Sequence, residues 1–188
     1  MTIARADAAT PVPCGRPGQY ALTATAAAHA VMARCGDAVR RVPLDAGFAA
    51  AVELVASLRG RVITIGVGTS ADLARLGAHL LASCDTPAQF LHATDVLHGG
   101  IGAVTAEDVV LAISARGSTP EVLAAASAAE LRGARVIALT SRASSDLARV
   151  GRIDVVLPAA AESVPLSSVV ARAAWFGAFA EAVRTRRG

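Results

Sequence analysis

The run from Asp108 to Glu121, DVVLAISARGSTPE, constrains the fold more than any other stretch of the chain. Val109, Val110, Leu111, Ala112 and Ile113 are unbroken apolar residues, the pattern of a parallel strand buried on both faces. A turn containing Ser, Gly, Ser and Thr follows, and a helix opens on Pro120 and Glu121. Proline in a first helical turn forfeits no hydrogen bond, because that N–H has no partner within the helix. The turn therefore lies at the carboxyl end of a strand and the amino end of a helix. Orphan N–H groups and the positive pole of the helix dipole meet the hydroxyls of Ser114, Ser118 and Thr119 there, so a phosphate or carboxylate can be held without a metal. Small hydroxyl residues also cap helices for structural reasons alone, and the turn admits that reading as well.

The remaining chain repeats this unit. Helical spacing of apolar residues runs from about Tyr20 to Arg41 and again from Asp45 to Leu58, with Asp45 as N-cap and Gly60 as a stop. Strands are predicted over Arg61 to Ile65, Gln89 to His92, Asp108 to Ser114, Arg135 to Leu139 and Ile153 to Leu157. Helices are predicted over Ser70 to about Cys84, Pro120 to Leu131, Ser144 to Val150 and Leu166 to Arg184. Such alternation implies right-handed crossovers and a parallel sheet covered on both faces, with a ligand site at the carboxyl ends of the strands where strand order reverses. Residues 1–19, rich in Pro, Gly and Ala, read as a flexible leader, and residues 20–188 as a single domain.

Composition narrows the chemistry. The 188 residues are 54% hydrophobic and 3% aromatic, which predicts one core built from Ala, Val, Leu and Ile. There is no lysine, so Schiff-base enzymes and Walker-type nucleotide hydrolases are excluded. Scattered arginines with one Trp and one Tyr argue against a nucleic-acid surface. Cys14, Cys35 and Cys84 offer neither a zinc spacing nor a disulfide framework, which fits a reducing cytoplasm. No apolar stretch approaches the ~20 residues of a membrane span, so no membrane partner is expected. The N-terminal helices and the closing helix (Leu166, Val169, Val170, Trp175, Phe176, Phe179, Val183) carry more apolar surface than a monomer should expose, which predicts a homo-oligomer.

A second turn, GVGTS, follows the first strand as SARGST follows the third. Gly66 and Gly68 let backbone approach a ligand, and Thr69 and Ser70 place hydroxyls where the helix begins. Gly66, Gly68 and Ala71 also fit a loose dinucleotide fingerprint, but that motif wants an acid at the end of strand two, where this chain has His92. Paired hydroxyl turns favour a small phosphorylated ligand. His98 lies beside Gly99, Gly100 and Gly102 in the loop before strand three, either hydrogen-bonded in place or within reach of a ligand or a neighbouring subunit. Glu121 is either a dipole-favoured first-turn acid or a base beside the cradle.

The order of GVGTS, TPAQFLHATDVLHGGIG, EDVVLAISARGSTPEVL and ARVIALTSRASSDLARVGRIDVVL resembles the sugar isomerase (SIS) domain, specifically its arabinose-5-phosphate isomerase branch, over roughly residues 45–185. The resemblance implies an α/β three-layer sandwich of flavodoxin-like type, with a five-stranded parallel sheet and two N-terminal helices. It implies phosphosugar binding, tetramers and aldose–ketose isomerisation with no metal or organic cofactor. By the same resemblance Ser70, Ser114 and Thr119 match phosphate-binding hydroxyls within the turns Gly68–Ser70 and Ser114–Thr119, Gly117 included. His98 and Glu121 match polar residues of the isomerase site, as does Glu162 if ESVPL matches the family's E-A-C-P-L. Thr69 stands where that branch has Lys in G-x-G-K-S, Arg116 and Ser118 replace the Ser and Glu of S-N-S-G-E, and the sequence stops before the branch's S-H-P-G-G segment and paired CBS domains. An inward-pointing Arg116 would restore the missing charge. The expected activity is a sugar-phosphate isomerase with an altered site; the alternative is a phosphosugar-binding or regulatory module that performs no turnover.

Overall fold

The computed structural model describes residues 17–159 and 166–188, with side chains from residue 23 onward. Two helices come first, α1 (Pro17–Arg40) and α2 (Ala46–Ala56). Residues 1–16 of the expected leader lie outside the described residues, and its last three positions belong to α1. Asp45 caps α2, its carboxylate accepting from the N–H groups of Gly47 at 3.0 Å and Phe48 at 3.1 Å. Strands and helices then alternate: β1 (Val62–Gly66), α3 (Thr69–Ser83), β2 (Ala88–His92), α4 (Ala93–Leu97), β3 (Val109–Ile113), α5 (Pro120–Leu131), β4 (Arg135–Thr140), α6 (Asp146–Val150), β5 (Ile153–Val156) and α7 (Leu166–Arg187). The glycine-rich stretch expected as loop between β2 and β3 contains α4 and a 3-10 turn over Gly100–Ala103. Five residues are too few for a helical period to show in sequence.

All strand pairs are parallel, in the order β2-β1-β3-β4-β5. Alternate residues of each strand feed opposite faces. Val62, Val109, Leu111, Ile113, Ile137, Leu139 and Val155 pack under α2, α3 and α7. Ile63, Ile65, Val110, Ala112, Val136 and Ala138 pack under α4, α5 and α6. The two faces differ in their filling. Against α7 the core is aromatic: Trp175 stacks on Phe179 at 4.6 Å between ring centroids and meets Phe176 edge-on at 5.3 Å, all three fully buried. The aliphatic core expected from composition therefore holds for the α5 face, where Ala125, Ala126 and Ala129 allow close approach, and fails for the α7 face. Few aromatics in the chain does not mean few in the core, because these three are concentrated on one helix.

That helix is the exception to the reading that no apolar stretch approaches the length of a membrane span. α7 is long and apolar enough to cross a membrane by length and composition, yet half of its apolar stretch is buried inside the fold. Its apolarity is used by Ala171, Trp175, Phe176, Phe179, Ala180 and Val183 against the sheet and its neighbours.

Candidate functional site

Strand order reverses between β1 and β3. From β1 the chain crosses over through α3 to β2 on one side, and from β3 through α5 to β4 on the other. The turns after β1 and β3 thus leave adjacent strands in opposite directions and open a crevice between them, the position at which parallel α/β sheets take ligands.

Each turn is built to bring backbone close. At the end of β1, a Cβ on Gly66 would sit 2.6 Å from the Ser70 carbonyl oxygen, so only glycine lets α3 start so near the strand. Gly68, at φ +57°, is the N-cap of α3, and no side chain caps that helix. In the second turn Gly117 adopts φ +67°, and a Cβ there would collide with the Ser145 side chain that caps α6. Thr119 is the N-cap of α5, but its hydroxyl caps nothing. It bonds instead to the buried Ser114 hydroxyl at 2.8 Å, while Ser114 Oγ accepts from the Gly117 N–H at 3.1 Å. One of the two hydroxyl protons is consumed in their mutual bond, which leaves the other to donate outward. Two uncapped helix N-termini and a spare hydroxyl proton converge at the switch point, an environment that favours an anion.

The crevice narrows to a cleft of about 80 Å³ lined by Thr69, Ser70 and Leu73 of α3, Ala115 of the second turn, and Ser168, Val169 and Arg172 of α7. The cleft sets Thr69 and Ser70 of the first turn beside Ala115 of the second, while Ser114, Gly117 and Thr119 bond to one another within the second turn and do not line it. Arg116 and Ser118 do not face this cleft. Both are exposed and line an open groove of about 330 Å³ with Arg142, Ser144, Ser145 and Asp146. The inward-pointing Arg116 is therefore not what the fold provides. Ala115 has its carbonyl bonded to the Ser141 N–H at 2.8 Å, and Arg116 next to it projects toward solvent. Glu121 is exposed on the first turn of α5, and His98 is exposed at the C-cap of α4, a helix that packs on α5. Neither lines the cleft. Glu162 lies outside the described residues.

Two further residues emerge from the fold. Arg172, on α7, is 3% exposed, and burial lowers its pKa from the ordinary arginine value. Its sequence signal is a charge three positions after Val169 and three before Trp175, on the face of the closing helix that enters the core. Asp154 of β5 is partly buried; burial raises its pKa, opposed by a hydrogen bond from the Thr140 hydroxyl at 3.4 Å. Among the described residues no group of three or more His, Cys, Asp or Glu side chains is placed to hold a metal ion.

This geometry defines a parallel α/β domain with an anion-favouring crevice at its switch point, and the comparisons give its family. The SIS domain model matches residues 57–182, and the chain belongs to the SIS domain family. It is 33% identical over 141 residues to the arabinose 5-phosphate isomerase KdsD of Pseudomonas aeruginosa, an alignment covering 75% of this chain and 40% of that protein. With its counterpart from Escherichia coli K12 it shares 32% over 150 residues, 77% of this chain and 46% of the other. The chain thus spans less than half the length of these curated relatives. Among solved structures, an Escherichia coli CFT073 protein in complex with a phosphosugar superposes with TM-score 0.80 at 30% identity, covering 91% of this chain and 93% of that one. The sugar isomerase domain of an RpiR transcription factor from Sphaerobacter thermophilus superposes with TM-score 0.71 at 21% identity, over 85% of this chain and 88% of that one, and shares the fold.

Proposed function

We propose that this SIS domain binds a sugar phosphate at the β1–β3 switch point and interconverts its aldose and ketose forms. The observation that carries the reading is the pair of uncapped helix starts, α3 and α5, that follow the adjacent strands β1 and β3, with the Ser114–Thr119 hydroxyl pair at the second. In this reading Ser70, Ser114, Thr119 and the amides around Gly68, Thr69 and Gly117 hold the phosphate. Isomerisation through an enediol needs a base to carry a proton between adjacent carbons and an acid to handle the oxygens. Glu121 is the base, because it begins the helix whose N-terminus holds the phosphate. His98 is the acid, and its exposure on α4 suits delivery into the site of a neighbouring subunit in a homo-oligomer. Glu162 assists, and the reaction needs no metal or organic cofactor. The protein acts as a single SIS domain in the cytoplasm.

The test is turnover of five- to seven-carbon aldose and ketose phosphates, arabinose 5-phosphate among them, by purified protein. The reading fails if no substrate is turned over faster by the wild type than by Glu121→Gln. A second reading, a module that binds the phosphosugar and leaves it unchanged, is favoured by one observation: Glu121 and His98 both stand outside the cleft that joins the turns. It predicts a thermal shift with ligand and no product.

A further inference from the structure

Arg172 carries a charge that the described residues do not answer. Its guanidinium is held by neutral groups: Nη1 donates to the Ser168 carbonyl at 3.0 Å and Nη2 to the Ser141 hydroxyl at 2.6 Å. Nε is buried with no hydrogen-bond partner, and none of the ion pairs among the described residues includes this arginine. Arginine does not shed its proton readily, so burial without a counter-ion carries a standing cost, and an unpaired N–H adds to it. Both costs vanish if an anion completes the set. The side chain is placed for one, because it lines the same small cleft as Thr69 and Ser70 at the uncapped start of α3. A cleft of about 80 Å³ suits a compact tetrahedral anion and not a sugar ring.

We propose that Arg172 is the cation that binds the phosphate, presenting its guanidinium from α7 to an anion seated in the cleft beside Thr69, Ser70 and Ala115. The inference rests on the phosphosugar reading above and adds the residue that supplies its charge. The chain has no lysine, Arg116 faces the open groove, and Thr69 in the first turn is neutral. Ser141 and Ser168 fix the guanidinium plane, so the fork meets the anion preorganised. Because the anchor sits on α7 instead of in a turn, phosphate binding ties the closing helix to the β1–β3 crevice.

The experiment measures thermal shift and calorimetric affinity of the full chain with inorganic phosphate and with arabinose 5-phosphate, at matched ionic strength, for wild type, Arg172→Met and Arg172→Gln. Loss of a charge-assisted hydrogen bond should weaken phosphate binding about tenfold to a hundredfold in both neutral variants. Without phosphate, Arg172→Met should melt no lower than wild type, since an unpaired buried charge has been replaced by an apolar side chain. Arg172→Gln still donates to Ser141 or Ser168, and it decides the affinity question if the Met variant does not fold. If either variant binds phosphate as tightly as wild type, the Arg172 assignment is overturned. It is equally overturned if Arg172→Met melts lower while its phosphate-dependent shift is unchanged, which is the mark of a structural arginine. If wild type itself shows no shift with phosphate or any sugar phosphate, the reading of the site falls first, and the inference with it.

Discussion

The two ends of the sheet treat their polar groups in opposite ways. At the amino ends of β1 and β3, the buried Asp108 accepts from the Arg61 N–H at 2.9 Å, the Thr105 N–H at 2.8 Å and the Thr105 hydroxyl at 3.0 Å. Arg61 in turn donates to Gln89 at 2.9 Å and to the Ala103 carbonyl at 2.7 Å. At the carboxyl ends of the same two strands, α3 and α5 begin without side-chain caps and Arg172 keeps an unpaired N–H. Nearly all buried polar groups in folded proteins find partners, and Asp108 obeys that rule with three donors while Arg172 keeps one buried N–H open beside an uncapped helix start. The proposed site thus assigns stability and ligand binding to opposite ends of the same pair of strands, and substitutions should sort accordingly.

The largest effect is expected at the closed end. Asp108→Ala strands the Arg61 and Thr105 donors and should lower unfolding free energy by about 3 kcal/mol, read by urea denaturation, while leaving the phosphate-dependent thermal shift intact. Burial alone would push the Asp108 carboxyl up, but hydrogen bonds from Arg61 and Thr105, with the Arg61 charge, hold it below the ordinary 3.8. A folded value below the unfolded one means the stabilisation is present above the ordinary carboxylate range and is lost as pH falls through the folded value. The gap between wild type and Asp108→Ala should therefore be full at neutral pH and shrink in acid; a gap that widens in acid would break the assignment.

At the open end, Gly117→Ala should cost about 2 kcal/mol, because a Cβ at φ +67° is strained and collides with Ser145. Unlike Asp108→Ala, it should also weaken phosphate binding, since the turn that carries Ser114 and Thr119 must shift. Ser114→Ala comes next. It removes the side-chain branch of the bond from the Gly117 N–H, which keeps the Ser114 carbonyl at 3.0 Å, and the partner of Thr119, for about 1 kcal/mol of stability. Its larger signature is a loss of phosphate affinity greater than its loss of stability explains. If Ser114→Ala loses stability but binds phosphate normally, the contrast between the ends is wrong.

How far the sequence reveals this contrast depends on whether a feature is local. The strand after Asp108, the turn SARGST and the helix opening at Pro120 are written in consecutive residues, and α5 spans the predicted Pro120 to Leu131 residue for residue. Asp45 as a cap is local too. The Asp108 clip already spans 47 positions to Arg61, and Arg172 meets Ser141 across 31. Neither pairing leaves a periodicity to read. Arg116 shows the same limit from the other side: a charge inside a recognisable turn draws attention, yet only packing decides that it faces solvent while Arg172, in an apolar helix, faces the cleft.

The smallest effect isolates the capping difference itself. Asp45 satisfies two N–H groups at the start of α2, so Asp45→Ala should cost about 1 kcal/mol. Because that helix start is already closed by its own side chain, the variant should show the wild-type shift with phosphate at every concentration. Thr119→Ala offers the counterpart at α5: its hydroxyl caps nothing, so the loss of stability comes from the Ser114 bond alone, while phosphate binding drops. If instead the two variants lose stability and affinity in the same proportion, then an uncapped start is simply a weaker helix end, and the open amides of α3 and α5 are not reserved for a ligand.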